Sequence, residues 1–590
     1  MLILGISCFF HDASAVLLDD GKLLCAAEEE RFTRIKHDYD FPTNAISFCL
    51  QQAEVTGADI DYVVFFEKPF IKFERLLKTA ISGFPRSYRL FEQSMRTWLF
   101  DKLWIRNLIQ QEMGIPKNKI VFSDHHLSHA SSAYFCSPFQ DAAVLTIDGV
   151  GEWSTATMGY ASETDLLTTQ ELHFPHSLGL LYSAFTAFLG FEINEGEYKV
   201  MGMAPYGEPK YTDKVEQVVK INHDGSIWMD PAYFQFHFGT GRSYSRKFEE
   251  LFGTPRDPNV PFVTATTGIP SYYQDEVDRT KSLFDYNQRY ADIAASIQTV
   301  VEEIILKMAR HLHSQTGAKN LCLAGGVALN SVANGRILRE TEFQEIYVQP
   351  SAGDGGGSLG AALYAWHGGL GKTDRFIMDH TYWGQQYTEA EIKSSLDEAG
   401  LSVQEFNSQD ELVNESVDRL TSGKVIGWFQ GKFEWGPRAL GNRSILADPR
   451  RAEMKDIVNT KIKFREPFRP FAPAVTLEAA PDFFDIPETA NGMPERFMLL
   501  VVPVWETKSD QIPAVSHLGT ARVQVVHHEA NPLYSDLIAT FGDATGTPVL
   551  MNTSFNIRGE PIVSSPEDAI RTFGNSGIDT LVIGNFLVEK

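Results

Sequence analysis

The feature that most limits what this chain can fold into is an internal repetition. Residues 2–6 form an apolar run that ends in a polar HDASA turn and resumes as a second run at 15–18. Much later, residues 142–148 end in a DGVGEW turn and resume at 155–160. Short apolar runs bounded by Gly, Asp and Ser read as buried strands. Two strand, turn, strand units with polar groups at each bend predict a duplicated α/β domain with a ligand between its halves.

The remainder of the first 370 residues fits that frame. Residues 23–27 complete an antiparallel meander, 43–54 read as helix and 63–66 as strand. The longest uncharged apolar stretch, 177–191, falls short of the roughly 20 residues a spanning helix needs and reads as a buried helix. A long amphipathic segment, 286–314, leads to a strand at 321–324, a turn at Gly325 and Gly326, a helix at 330–339, a strand at 345–349 and the cluster GDGGGSLG. Glycine there permits close backbone approach, and the N-terminus of a following helix offers N–H groups to phosphate. Residues 368–387 carry little pattern and mark the expected boundary, dividing the chain into 1–370 and 371–590. Beyond it the pattern is α+β, with helices expected at 410–422, 452–461 and 566–573 and strands at 424–430, 497–504 and 522–526.

Charge narrows the function. The chain carries 52 basic against 76 acidic side chains, a net charge of −24, which argues against nucleic acid or a membrane surface as partner. Cys8, Cys25, Cys49, Cys136 and Cys322 form no CxxC pair, as suits a reduced cytoplasmic protein without a cysteine zinc site. The N-terminus lacks a cationic lead and a cleavage site, and reads as a first strand rather than a signal peptide.

Three motifs carry chemistry. In SDHHLSHASSAYF, His125 and His129 are four apart and share one helix face, so they are suited to chelate one cation, with Asp148 and Asp354 as oxygen donors from turns elsewhere. The plainer alternative is a pair of histidines lining a helix start. GDGGGSLG contains a formal GxGxxG, but it closes a domain rather than opening one and lacks an acidic partner at the right distance, which excludes a nicotinamide site. GKT at 371–373 has Trp366 where a Walker A loop needs glycine and reads as linker. Third, the segment 432–469 holds ten basic residues against five acidic ones. Arg450, Arg451 and Lys455 fit a solvated helix face, whereas WGPRALGNRS and KFREPFRPFAP hold Arg438, Arg443, Lys463 and Arg469 among Gly, Pro and aromatics that fix a loop. Fixed arginine forks suit phosphate or carboxylate. Asn552 and Ser554, in MNTSFNIRGEP, add small donors just after an apolar strand. No GxSxG elbow, HExxH or kinase signature occurs.

Taken in order, LGISCFFHDASAVLL, AAEEERFTRIKHD, DHHLSHA, LTIDGVGEW, FPHSLGLLYSAFT, EYKVMGMAPYG, LAGGVALN, GDGGGS, WGPRALGNRS, FREPFRPFAP, GTARVQVV and NTSFNIRGEPIV resemble the NodU/CmcH carbamoyltransferases over nearly the whole chain. The resemblance implies an N-terminal domain of the actin, sugar-kinase and heat-shock-chaperone type and a C-terminal YrdC-like domain. It implies that carbamoyl phosphate and ATP, as its magnesium complex, form carbamoyladenylate in the second domain, and that the carbamoyl group passes to a hydroxyl of a small-molecule acceptor, a natural product or a sugar, in the first. It assigns His125, His129, Asp148 and Asp354 as ligands of Fe2+ or another divalent metal. It places Arg438, Arg443, Lys463, Arg469, Arg522, Asn552 and Ser554 at the carbamoyl phosphate and nucleotide site, and Glu195, Lys199, Gly325, Gly326 and Asn330 against the adenylate. His11 and Asp12 fall near the acceptor, with His11 as general base or as a group that orients Asp12. A homodimer is expected from size and apolar content alone. Two rivals stand beside this reading. A sugar-kinase-like phosphotransferase leaves the HxxxH pair and the second domain unexplained. A nucleotide-gated binding protein calls for an apolar peptide domain where the arginine-rich segment lies.

Overall fold

The computed structural model describes residues 1–100, 102–239, 241–268, 280–489 and 491–590. Backbone contacts divide these into two compact units. The first comprises 1–9, 16–23 and 53–377; the second comprises 10–15, 24–52 and 378–590. The division expected from sequence order was 1–370 and 371–590, whereas by contacts two early segments, including His11 and Asp12, group with the C-terminal unit.

Repetition is explicit in the strand order. Strands β1 (Leu2–Ser7), β2 (Ser14–Asp19), β3 (Lys22–Glu28), β4 (Tyr62–Phe65) and β5 (Ile120–Phe122) form one sheet in the order β3-β2-β1-β4-β5, with β1, β4 and β5 parallel. Strands β6 (Asp141–Ile147), β7 (Ser154–Ser162) and β8 (Asp165–His173), followed after the small ribbon β9 (Val219–Ile221) and β10 (Ile227–Met229) by β11 (Asn320–Ala324) and β12 (Glu345–Val348), form a second in the order β12-β11-β6-β7-β8. Again the first strand lies between a meander and two parallel strands. The same five-strand order occurs twice, as a duplicated α/β domain of the actin, sugar-kinase and heat-shock-chaperone type requires. The interiors of β1, β2, β6, β11 and β12 are nearly all apolar and buried, as strands covered on both faces must be, whereas the edge strand β8 is mostly exposed.

The glycine cluster departs from expectation. Rather than forming a turn ahead of a helix, Gly355, Gly356, Gly357 and Gly360 lie inside the helix Asp354–Tyr364. What they permit is packing. A Cβ on Gly360 would stand 1.7 Å from the Ser128 carbonyl oxygen, on the helix His125–Tyr134. A Cβ on Gly5 of β1 would stand 1.9 Å from the Ser358 carbonyl oxygen. The two helices therefore touch backbone to backbone. Gly360→Ala is expected to force them apart at a cost of about 3 kcal/mol, the upper range of overpacking, and to weaken cation binding together with thermal stability. Gly574→Ala, in a helix where an added Cβ meets nothing within 4 Å, is the control and should leave the melting temperature unchanged or raise it.

The second unit is α+β. Its eight-stranded mixed sheet contains β13 (Gln404–Glu405), β14 (Ile426–Phe429), β15 (Arg443–Ala447), β16 (Ala472–Thr476), β19 (Gln524–Val526), β20 (Val549–Ser554), β21 (Thr580–Ile583) and β22 (Phe586–Glu589) in the order β13-β22-β21-β14-β15-β20-β16-β19. Strands β17 (Val501–Pro503) and β18 (Thr520–Arg522) form a separate ribbon. Helices Gln409–Thr421 and Pro532–Thr545 contribute Leu412, Val417, Leu537 and Phe541 to its core. Two expected elements are shorter than anticipated. The helix at 452–461 is α only over Met454–Ile457 and widens to a π turn at Val458–Ile462, and the strand at 497–504 is confined to β17 because the helix Met493–Arg496, with proline in its first turn, precedes it.

Candidate metal centre and anion site

His125 and His129 enter from the first turns of one helix, Asp148 follows β6, and Asp354 opens the glycine-rich helix. Their ligand atoms all lie within 4.8 Å of one another, and all four residues are buried. His125 Nε2 is 3.0 Å from Asp148 Oδ2, 3.2 Å from His129 Nε2 and 3.7 Å from Asp354 Oδ1; His129 Nε2 is 3.5 Å from Asp354 Oδ1. Four lone-pair atoms converge on one point inside the protein, and Asp354 Oδ2 has no hydrogen-bond partner. Such an arrangement is stable only around positive charge. Without a metal that charge is protons. Burial pushes the His125 imidazole down, yet the Asp354 and Asp148 carboxylates hold it up at about 10. Burial likewise opposes ionisation of Asp148, but His125 and His129 keep its carboxyl well below the usual range. Two imidazoles and two carboxylates without a thiolate fit a divalent iron, manganese or zinc ion.

Further polar groups surround these ligands; Glu152 lies in the DGVGEW turn already singled out in the sequence, whereas no motif marked Glu67 or Lys72. Glu67 sits 3.7 Å from His125 Nδ1 and is itself paired with buried Lys72 at 2.5 Å. The Glu152 carboxylate accepts from the His125 N–H at 3.1 Å and from the Lys68 N–H at 2.7 Å. Neighbouring His126 is occupied otherwise, with its ring nitrogens against Thr146 Oγ1 and the Ser154 carbonyl. His125 Nδ1 and His129 Nδ1 themselves have no hydrogen-bond partner, so Glu152 fixes the backbone at the helix start and Glu67 acts on the His125 ring through charge at 3.7 Å.

The turn after β11 joins this centre directly. The Gly326 N–H donates to Asp148 Oδ1 at 3.0 Å, and Gly325, at φ +90°, lies so close to the Ile147 carbonyl that a Cβ would stand 2.3 Å from its oxygen. Asn330 caps the helix Ser331–Glu340, and its amide is paired with Gln298, which also accepts from the Tyr182 hydroxyl. Glu195 and Lys199 lie just before and within the helix Glu197–Met203, which meets the Asn330 turn through Ser331 Oγ and Met201 Sδ at 3.9 Å.

In the second unit the π turn ends at Lys463, whose N–H closes the wide turn onto the Val458 carbonyl. π turns of this kind recur at functional sites. Lys463 is 4% exposed and donates to the Ser554 and Asn556 carbonyls, Ser554 Oγ and Asn556 Oδ1 at 2.5–3.1 Å. Burial first, then the charges of Arg465, Arg469 and Lys36, push its ammonium well below the ordinary lysine value. No described carboxylate pairs with it. Asn552, buried on β20, donates to the Ala439 carbonyl and Gln524, while its Oδ1 has no partner. Arg438 follows the WGP turn and Arg522 ends β18; both are partly exposed. Arg443 differs from the others. It is fully buried, stacks 3.6 Å over the Phe429 ring and donates to the Gln430, Gly431 and Asn442 carbonyls, which brace the loop at 430–442. Lys36, in the AAEEERFTRIKHD motif but given no role from the sequence, adds its charge to this site, and 24–52 groups by contacts with the second unit.

His11 and Asp12 belong to the second unit as well. Asp12, at φ +37°, bonds His37 Nδ1 at 2.7 Å, and Glu30 accepts from the His37 N–H at 2.8 Å. Burial opposes ionisation of Asp12, but His37 holds its carboxyl below the usual range. His37, then, is the group that orients Asp12, and His11 stacks edge-on against Phe10.

The first unit thus carries a buried His125, His129, Asp148 and Asp354 group that could hold a metal ion, and the second a buried lysine with arginine charge near it. The chain belongs to the carbamoyltransferase family: the Carbamoyltransferase N-terminus family matches residues 2–363 and the Carbamoyltransferase C-terminus family matches residues 417–590. It is 38% identical to the nodulation protein NolNO of Sinorhizobium fredii over 99% of this chain and 79% of that protein, and 43% identical to an uncharacterized Synechocystis protein over 100% and 96%. Among solved structures, HypF of T. kodakarensis covers 63% of this chain and 48% of its own at 14% identity and TM-score 0.30, and the ROK hexokinase of Thermus thermophilus covers 62% and 98% at 14% and 0.27. Overlap at that level is too slight to carry a functional comparison. No helix among the described residues is long and apolar enough to cross a membrane, and all five cysteines are buried free thiols.

Proposed function

We propose that the chain is an ATP-dependent O-carbamoyltransferase working in two steps. Carbamoyl phosphate loses its phosphate to water in the second unit; a carbamate oxygen then attacks the α-phosphorus of magnesium-bound ATP and pyrophosphate leaves. The resulting carbamoyladenylate is consumed in the first unit, where an acceptor hydroxyl takes the carbamoyl carbon and AMP departs. One observation carries the reading: the Lys463 amine is buried at 4% exposure with no described carboxylate paired to it, while Arg465, Arg469 and Lys36 add positive charge around it, an arrangement that an anion such as a phosphoryl group stabilises. Arg438, Arg522, Asn552 and Ser554 complete the phosphate site, while Arg443 acts through the loop it braces. Gly325, Gly326 and Asn330, with Glu195 and Lys199, would hold the adenylate. A divalent metal, Fe2+ by resemblance, would be held by His125, His129, Asp148 and Asp354 and would supply a Lewis acid for a carbonyl oxygen. The acceptor is a small-molecule alcohol. His11, assigned by resemblance as the base that takes its proton, groups by contacts with the second unit rather than with the metal ligands, so its role is the part of this reading that most needs the test below.

The test is pyrophosphate release from ATP by purified protein without acceptor. Release that requires carbamoyl phosphate supports the adenylate-forming step; its absence under metal-replete conditions rejects it in favour of a kinase-like phosphotransferase. His11→Ala should then leave release intact and lower acceptor carbamoylation about a hundredfold or more, the contribution of one general base. Near wild-type transfer in that variant would remove His11 from the mechanism.

A further inference from the structure

The first unit has a cleft of about 690 Å³ lined by Phe84, Trp153, Phe174 and Phe238, with Lys78 and Arg86 among its walls. Two segments that no motif explains, 70–114 and 221–285, supply Lys78–Arg86 and Pro231–Phe238; residues 101, 240 and 269–279 of those segments lie outside the described set. Phe84 is 69% exposed and Ile81 66% exposed, an apolar surface that no fold requirement explains. In a chain of net charge −24, no carboxylate among the described residues lines the cleft. Glu74 pairs with Lys78 from outside it, and both are exposed.

Backbone contacts tie one wall of the cleft to the residues around the metal centre. Trp153 follows Glu152, whose carboxylate fixes the His125 N–H, and the Phe174 N–H donates to the Trp153 carbonyl at 2.8 Å. Behind the Phe174 ring, 4.9 Å away, lies the Arg75 guanidinium, which feels the charges of Glu67 and Glu152, the two carboxylates next to His125.

We infer that this cleft receives the acceptor, and that the acceptor is an anionic amphiphile, with an apolar body against the four rings and an acidic group at Lys78 and Arg86. As an acceptor site it rests on the carbamoyl-transfer reading; as a binding site it does not. Flat rings and proline suit a hydrocarbon body, and two exposed cations without a lining carboxylate suit an anion and repel a polycation.

Full-length protein is titrated by calorimetry with decyl phosphate, decyl maltoside, decyltrimethylammonium and inorganic phosphate, each below any micelle concentration. Decyl phosphate should bind saturably, more tightly than the maltoside, with no binding of the ammonium compound or of phosphate alone. Arg86→Ala and Phe84→Ala, both at exposed positions, should each weaken it about tenfold. Equal binding of all three amphiphiles, equal binding of inorganic phosphate, or indifference to both substitutions overturns the proposal. Pyrophosphate release is measured on the same preparations. If release is absent while decyl phosphate still binds, the carbamoyl reading fails and the cleft stands; if release is normal and decyl phosphate does not bind, the cleft assignment fails alone.

Discussion

His129→Ala is expected to remove the bound metal and to lower acceptor carbamoylation by about a thousandfold, while carbamoyl-phosphate-dependent pyrophosphate release persists. The size follows from losing a Lewis acid worth several kcal/mol, roughly 4 kcal/mol at 1.36 kcal/mol per tenfold. The selectivity follows from position, because all four ligands belong to the first unit and Lys463 to the second. Truncating a buried histidine also leaves a void, so Asp354→Asn serves as the near-isosteric companion. It keeps the helix start and removes one of the two carboxylates that face His125 and His129. Metal content by elemental analysis, transfer rate and circular dichroism are read together. Full metal content in both variants, or loss of transfer with full metal, would reject the centre. Loss of pyrophosphate release in step with transfer would mean that the two half-reactions are not separate.

Legibility in the sequence followed the range of the interaction. Local periodicity exposed the strands β1, β2, β6, β7 and β11, and the four-residue spacing of His125 and His129 placed both on one helix face. The duplicated strand order could be anticipated because each copy opens with the same strand, turn, strand pattern. Contacts between distant segments left no local trace. Glu67 and Glu152 approach His125 from two separate places in the chain, with Lys72 paired to Glu67, and the Glu67–Lys72 pair alone reads as ordinary surface charge. Lys36 meets Lys463 across more than four hundred residues. The glycines of GDGGGSLG misled for a physical reason: a run of glycine is costly inside a helix and usually marks a turn, and here helix contact at the Ser128 carbonyl outweighs that cost. Arg443 shares its surroundings in sequence with Arg438, yet burial and three carbonyl partners make it a brace, a distinction that residue type and spacing do not carry.

Lys463→Met is expected to reduce carbamoyl-phosphate-dependent pyrophosphate release by about a hundred- to a thousandfold, the range found when one preorganised donor to developing negative charge is removed, with metal content unchanged. The argument is electrostatic. With no anion bound, Lys463 is buried and repelled by Arg465, Arg469 and Lys36, so its folded-state affinity for a proton lies below that of the unfolded chain. The unfolded state then binds more protons, and the contribution of this group to stability rises with pH up to the ordinary lysine value near 10.5. A bound phosphoryl group reverses the balance by favouring the ammonium. Carbamoyl phosphate binding is therefore expected to weaken as pH rises through the range in which Lys463 loses its proton, and within that range to take up a proton, seen as a binding enthalpy that changes with the ionisation heat of the buffer. Lys463→Met should abolish that buffer dependence along with the activity. Lys463→Arg should not restore it, because a guanidinium fork does not fit a pocket whose four acceptors, from Ser554 and Asn556, converge on one compact ammonium. A methionine variant that keeps both pyrophosphate release and proton uptake would show that the lysine only ties the π turn to β20, and the phosphate would then have to be held by Arg438 and Arg522 alone.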